Sequence, residues 1–182
     1  MSKNNRINYE EKTISSKYVY KGKVINLKED IILLPNGKEA IRSLVEHNGG
    51  ACGLALTKDK KIFFVRQFRK PFESELLELP AGKIDGNESP DETIVRELYE
   101  EIGIKVRRIE KVGIMYPTPG YTNEIIHLYF TDDFDLVENK LDDDEFLDII
   151  KIDVNEIDSL IENGIIVDAK TLVLLLRCKK FF

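Results

Sequence analysis

Between residues 89 and 103 the chain carries signals that only a helix satisfies. Ser89-Pro90-Asp91-Glu92 offers a capping hydroxyl, a proline at the first helical position and a glutamate three residues past the cap. This reciprocal pattern satisfies backbone donors that a helix start otherwise leaves open. Gly103 supplies the stop. At about 100° per residue, Ile94, Leu98 and Ile102 form one stripe, with Val95 and Tyr99 beside it, and the stripe is expected to face a core. Glu97, Glu100 and Glu101 fall together on another side. Like charges at this spacing weaken a helix by tenths of a kcal/mol, and the dipole disfavours anions in the C-terminal half. A local conflict of this kind belongs to a functional site. A divalent cation removes it, and hard oxygen ligands suit Mg²⁺ or Mn²⁺. A lone glutamate triple is more often a solvated face, so the approach to the helix matters. Glu78-Leu79-Pro80-Ala81-Gly82 leads into a loop from Lys83 to Glu88, where a backbone carbonyl can join a metal shell.

Strand patterns surround this helix. Thr13 to Tyr20, Val24 to Leu34 and Ala40 to Val45 read as three antiparallel strands, with Pro35-Asn36-Gly37 as a turn. Asn48-Gly49-Gly50 marks a boundary between this small sheet, residues 1–48, and a main domain, residues 49–182. Such a sheet has little core of its own and needs a surface to cover it, either the main domain or a second subunit. Ala51 to Leu56 and Lys61 to Gln67 suggest a hairpin around Thr57-Lys58-Asp59-Lys60. Glu75 to Leu79, Val106 to Met115, Ile125 to Phe130 and Phe146 to Ile152 read as further strands. Thr131 to Glu145, with eight acidic residues and one basic one, reads as a loop. Asp153-Val154-Asn155-Glu156 suggests a second capping box, for a helix that Gly164 ends. Asp168 caps a last helix running to about Lys179, with Arg177, Lys179 and Lys180 complementing its dipole. Strands interleaved with a few helices suggest an α/β sandwich, a sheet between helices.

Composition limits the partners. Lys and Arg total 27 against 33 Asp and Glu, a net charge of -6, so a general nucleic-acid footprint is not expected. Phosphates remain accessible through a metal cation. Leu172 to Leu176 is the longest apolar run and is far too short to span a bilayer. Met1 to Lys12 is polar and charged, so a secretory leader is not expected. The expected setting is a reducing cytoplasm. Cys52 and Cys178 read there as small buried hydrophobes, and His47 and His127 form no local metal motif.

From Gly82 the chain runs five residues to Glu88, seven more, then Arg96-Glu97-Leu98-Tyr99-Glu100-Glu101-Ile102-Gly103-Ile104. This resembles the Nudix box at every defined position, a long signature of fixed spacing. The resemblance implies an α/β/α Nudix sandwich with a mixed sheet, and hydrolysis of a nucleoside diphosphate linked to another group. It implies a box helix that binds Mg²⁺. Glu97 and Glu101 are then the principal ligands, with Glu100 joining or bridging them, and Arg96 pairs with Glu88 to orient the helix. Gln67-Phe68-Arg69, Glu78-Leu79-Pro80-Ala81-Gly82 and Tyr116-Pro117-Thr118-Pro119-Gly120 look like the ADP-ribose pyrophosphatase branch, as do Leu34-Pro35-Asn36-Gly37, Asp142 to Phe146 and Asp168-Ala169-Lys170-Thr171. That branch implies cleavage of ADP-ribose to AMP and ribose 5-phosphate. It implies the Ala81 carbonyl as a further metal ligand and Arg69 as a contact to substrate phosphate or ribose. It implies a loop glutamate that positions or activates water. Glu145 matches best, with Asp143 and Asp144 as neighbouring alternatives. It also implies an intertwined homodimer formed through the N-terminal sheet. Another ADP-sugar or a dinucleotide is the competing substrate, and a non-catalytic nucleotide sensor is the competing class.

Overall fold

In a computed structural model of the protein, residues 8–138 and 146–182 are described. They divide into two compact units, one of residues 8–48 with 118–124, the other of residues 49–117 with 125–138 and 146–182.

The first unit is an antiparallel sheet of β1 (Lys12–Lys21), β2 (Ile25–Leu33) and β3 (Glu39–His47), in that order. The Pro35-Asn36-Gly37 turn closes β2 onto β3, with the Gly37 N–H donating to the Leu34 carbonyl at 2.9 Å. The register pairs Ile31 with Ile41 and Ile25 with His47. All ten residues of β1 are exposed. Ile32 and Asp30 are buried, and Asp30 accepts the Ser16 hydroxyl at 2.7 Å. Segment 118–124 joins this unit through Val45, whose N–H donates to the Tyr121 carbonyl at 2.7 Å.

The second unit holds two sheets and the helices. A mixed four-stranded sheet runs β7 (Ala81–Lys83), β4 (Gly50–Ala55), β9 (Ile126–Leu136) and β8 (Ile104–Met115). Only β4 and β9 are parallel within it. A second sheet runs β10 (Leu147–Asp153), β5 (Lys61–Arg69) and β6 (Ser74–Glu78). Helix α1 (Pro90–Ile102) lies over β4, β7 and β8, and α3 (Ala169–Cys178) lies over β4, β8 and β9. A short α2 (Ile157–Glu162) follows β10. Alternation along the strands divides the core in two. Cys52, Leu54, Leu128 and Phe130 pack with Leu174 and Cys178 of α3. Ala51, Ala55 and Tyr129 pack with Ile94, Leu98 and Ile102 of α1. The expected α/β sandwich is therefore present, with a helix on each face.

Four local expectations are corrected. Ala51 to Leu56 and Lys61 to Gln67 do not form a hairpin. The turn closes, with Thr57 N–H donating to the Lys61 carbonyl at 2.8 Å, but after one bridge, Leu56 to Ile62, the strands part into different sheets. Every residue of β4 is buried, and a strand covered on both faces shows no polar alternation to reveal its partner. Residues 131–136, read as loop, extend β9. Their acidic side chains pair with basic ones on β8, Arg107 with Asp133 and Asp135 at 2.7 and 2.6 Å and Arg108 with Asp132 at 2.9 Å. Asp153 caps a single 3-10 turn, Val154–Glu156, rather than a full capping box. Finally, Val95 and Tyr99 are exposed, and the buried arc of α1 widens the other way, through Thr93, Glu97 and Glu101.

Candidate active site

The acidic flank of α1 is a buried surface. Glu97 and Glu101 are only 6% and 3% exposed. The sequence signals at both helix ends operate: Ser89 accepts from the Glu92 N–H while Glu92 accepts from the Ser89 N–H, and Gly103 closes the helix at φ +62°. The helix is also tied to the sheet at its first turn, where the Tyr129 hydroxyl donates to Asp91. Burial and that carboxylate both push the Tyr129 phenol well above its ordinary range.

What covers the acidic flank is the backbone of β7. The Ala81 N–H donates to Glu101 Oε2 at 3.0 Å. A Cβ at Gly82 would lie 1.6 Å from Glu97 Oε1, so only glycine lets the chain pass this close. The first glycine of the motif is thus a steric requirement of Glu97, fifteen residues later in the pattern.

Arg96 organises the rest. Its guanidinium grips Glu88 through Nε at 2.9 Å and Nη2 at 3.0 Å, and Nη1 donates to Glu97 at 2.8 Å and Glu100 at 2.9 Å. Glu88, principally through this grip, is held below the usual carboxylate range. The expected Arg96–Glu88 pair is present, and the same cation reaches two of the three box carboxylates. Glu100 is the more exposed of the three and faces Arg96 rather than β7.

Arg69, at the end of β5, is held bidentately by Glu78, at 2.6 and 2.7 Å. Glu78 is buried. Burial alone would raise its pKa, but Arg69 and Lys170 reverse that and hold it below its ordinary value. Glu78 and Lys170 were assigned no role from sequence. The signal was a charged residue inside the apolar run Leu76-Leu77-Glu78-Leu79, where an unpaired carboxylate is not tolerated. Glu145, with Asp143 and Asp144, lies outside the described residues.

Among the described residues no group of three or more His, Cys, Asp or Glu side chains converges as a metal cluster. The donor set nevertheless fits a hard divalent ion. It is all oxygen, it is carried on one helix flank, and Arg96 already occupies the cation position between Glu97 and Glu100. His127 does not contribute. Its Nδ1 is buried without a hydrogen-bond partner among the described residues, and burial, then Lys111, lower its pKa against the pull of Asp91.

A model of the NUDIX domain matches residues 47–175, and a model of the nucleoside diphosphate sugar hydrolase N-terminal domain matches residues 11–45. The ADP-ribose pyrophosphatase of Bacillus subtilis (strain 168) is 40% identical over 164 residues, 89% of each chain. The methanol dehydrogenase activator of Bacillus methanolicus is 39% identical over 167 residues, 91% of this chain and 90% of its own. The GDP-mannose pyrophosphatase of Yersinia enterocolitica is 32% identical over 148 residues, 75% of this chain and 76% of its own. Among solved structures, an ADP compounds hydrolase superposes with a TM-score of 0.83, at 17% identity and 94% of each chain, a likeness of fold. With the box running from β7 through the capped helix α1 into β8, and with the NUDIX model spanning most of its length, this chain belongs to the Nudix family and is a Nudix pyrophosphohydrolase.

Proposed function

We propose that the protein hydrolyses the diphosphate bridge of ADP-ribose to AMP and ribose 5-phosphate, with Mg²⁺ or Mn²⁺ as cofactor. The observation that carries this reading is the seating of Glu97 and Glu101 against the Ala81-Gly82 backbone. Two buried carboxylates one helical turn apart are costly unless a cation compensates them. Glu97, Glu100 and Glu101, with the Ala81 carbonyl, are the residues to hold it. A divalent ion bound there supplies charge neutralisation for the diphosphate and lowers the pKa of a water. Arg96 holds Glu97 and Glu100 in place through its Nη1. Arg69 contacts a phosphate or ribose oxygen of the substrate, and Glu145 takes or steers the proton of the attacking water. The ADP-ribose pyrophosphatase relatives support this choice of substrate, and the GDP-mannose pyrophosphatases support another nucleoside diphosphate sugar as the alternative.

The same reading includes a homodimer through the N-terminal sheet. It is supported by the exposure of β1 and by exposed Ile14, Tyr18, Val19 and Tyr20. A cytoplasmic setting is supported by Cys52 and Cys178, both buried thiols. Burial drives the Cys52 thiol far above its usual range and pushes Cys178 up to about 12. No helix among the described residues is long and apolar enough to cross a membrane.

The decisive experiment is product analysis over a panel of ADP-ribose, other ADP-sugars, GDP-mannose and a dinucleotide, each with Mg²⁺ and with chelator. The expected outcome is AMP from ADP-ribose at the highest kcat/KM, abolished by chelator. Turnover that is indifferent to chelator overturns the metal reading, and a preference for GDP-mannose overturns the substrate.

A further inference from the structure

Four charged residues of the second unit form an alternating line, Arg69, Glu78, Lys170 and Asp168. Glu78 Oε1 accepts Arg69 Nε, and Glu78 Oε2 accepts both Arg69 Nη2 and Lys170 Nζ. Lys170 Nζ lies 3.0 Å from Asp168 Oδ2. Asp168 caps α3, accepting the Thr171 N–H at 3.0 Å and its hydroxyl at 2.7 Å. The Thr171 hydroxyl oxygen in turn accepts the Leu79 N–H at 2.9 Å. The first turn of α3 is therefore bolted to the strand end that carries Glu78 and leads into Ala81.

The line is formally neutral, two carboxylates and two cations. Burial opposes the charge on Lys170, but Asp168 and Glu78 outweigh it and keep the ammonium protonated. For a structural salt bridge, one cation on Glu78 would suffice. The second has a geometric effect. A carboxylate held on both oxygens by Arg69 and additionally on Oε2 by Lys170 cannot rotate, so its plane is set. That plane sets the guanidinium, because the fork of Nε and Nη2 is rigid. Among the described residues Nη1 of Arg69 makes no hydrogen bond, and the side chain remains 36% exposed.

We propose that Glu78 and Lys170 are positioning residues for Arg69, locking its guanidinium so that the Nη1 edge is presented to a phosphate oxygen of the substrate. The inference rests on the reading of Arg69 as a substrate contact. Removing Lys170 frees the carboxylate to turn, and Arg69 turns with it. A misplacement of about 1 Å costs up to about 10²-fold in a positioned site.

The test uses the full-length chain with ADP-ribose and Mg²⁺. Lys170→Met is expected to raise KM about tenfold while kcat changes less than about threefold. In an Arg69→Gln background the same substitution adds nothing to KM, because its effect runs through Arg69. A second readout needs no substrate: the Arg69 Nε–H signal in a ¹⁵N spectrum, assigned by its loss in Arg69→Lys, exchanges with water at least about tenfold faster in Lys170→Met. Glu78→Gln reproduces both effects and serves if Lys170→Met does not fold. If Arg69→Gln raises KM but Lys170→Met leaves KM and exchange unchanged, the positioning role is wrong and the substrate contact stands. A KM rise of equal size in the Arg69→Gln background also overturns it. If Arg69→Gln leaves KM unchanged, the substrate contact itself is wrong, and the positioning inference falls with it.

Discussion

Strands β1 and β4 are built by the same rule and end in opposite environments. β1 is ten residues long, contains Ile14, Tyr18, Val19 and Tyr20, and is exposed throughout. β4 is six residues long, contains two glycines and two alanines, and is buried throughout. Apolar content therefore does not decide burial here; a covering layer does. α1 and α3 close the two faces of the sheet containing β4, and Gly53 lets Ile94 and Leu98 settle directly on its backbone. Among the described residues the sheet of the first unit has no helix of its own. The candidate site lies where layers close, with Glu97 and Glu101 buried under the β7 backbone.

The largest effect expected from this contrast is on chemistry. Glu101→Gln keeps shape and removes charge, so kcat for ADP-ribose should fall on the order of 10²–10³-fold, the size typical of losing a preorganised electrostatic group. Circular dichroism should stay unchanged. Normal turnover would remove Glu101 from the metal site. Packing comes next. Leu98→Ala, under α1, should lower the unfolding free energy by about 2–5 kcal/mol. Ile14→Ala on β1 should stay within about 0.5 kcal/mol in dilute protein, as exposed substitutions do. Urea titrations of both variants at two protein concentrations sharpen the comparison. A cost at Ile14 that appears only at high concentration means that a second copy covers β1.

Gly82→Ala tests the close approach in the site. Its methyl displaces the Glu97 carboxylate, and an overpacked site of this kind loses about 1–3 kcal/mol. The activity loss should exceed what the change in folded fraction explains. Ser89→Ala removes the hydroxyl half of the capping box and should cost about 1 kcal/mol, read as a shift in thermal midpoint.

The smallest effect is in pH dependence. Glu78 has a folded pKa below its ordinary 4.5. Its contribution to stability is therefore complete above the unfolded value and lost as pH falls through the depressed folded value. Wild-type stability should drop over that acid window, and Glu78→Gln should flatten the drop. Identical slopes would show that Glu78 does not titrate as a native-state ion pair.

Much of the helix that carries the candidate site was legible in advance for a local reason. Ser89, Glu92, Gly103 and the three box glutamates act within a few turns of one helix, where spacing translates directly into geometry. The Arg96–Glu88 pair was legible only through resemblance. The lock on Arg69 was not legible, because Lys170 follows Glu78 by 92 residues and no periodicity links them. The same holds for the false hairpin. Thr57 to Lys60 has every property of a tight turn, and only the layers on either side send β4 and β5 to different sheets.

The amino-acid sequence by itself determined the capped helix and the side on which its carboxylates cluster, since these depend on neighbours three and four residues apart. Tertiary structure alone decided that the carboxylate flank lies against the Ala81-Gly82 backbone, that Glu78 holds Arg69, and which strands are covered. Those outcomes depend on solvent exclusion between segments distant in the chain, and solvent exclusion is a property of packed layers rather than of any local stretch.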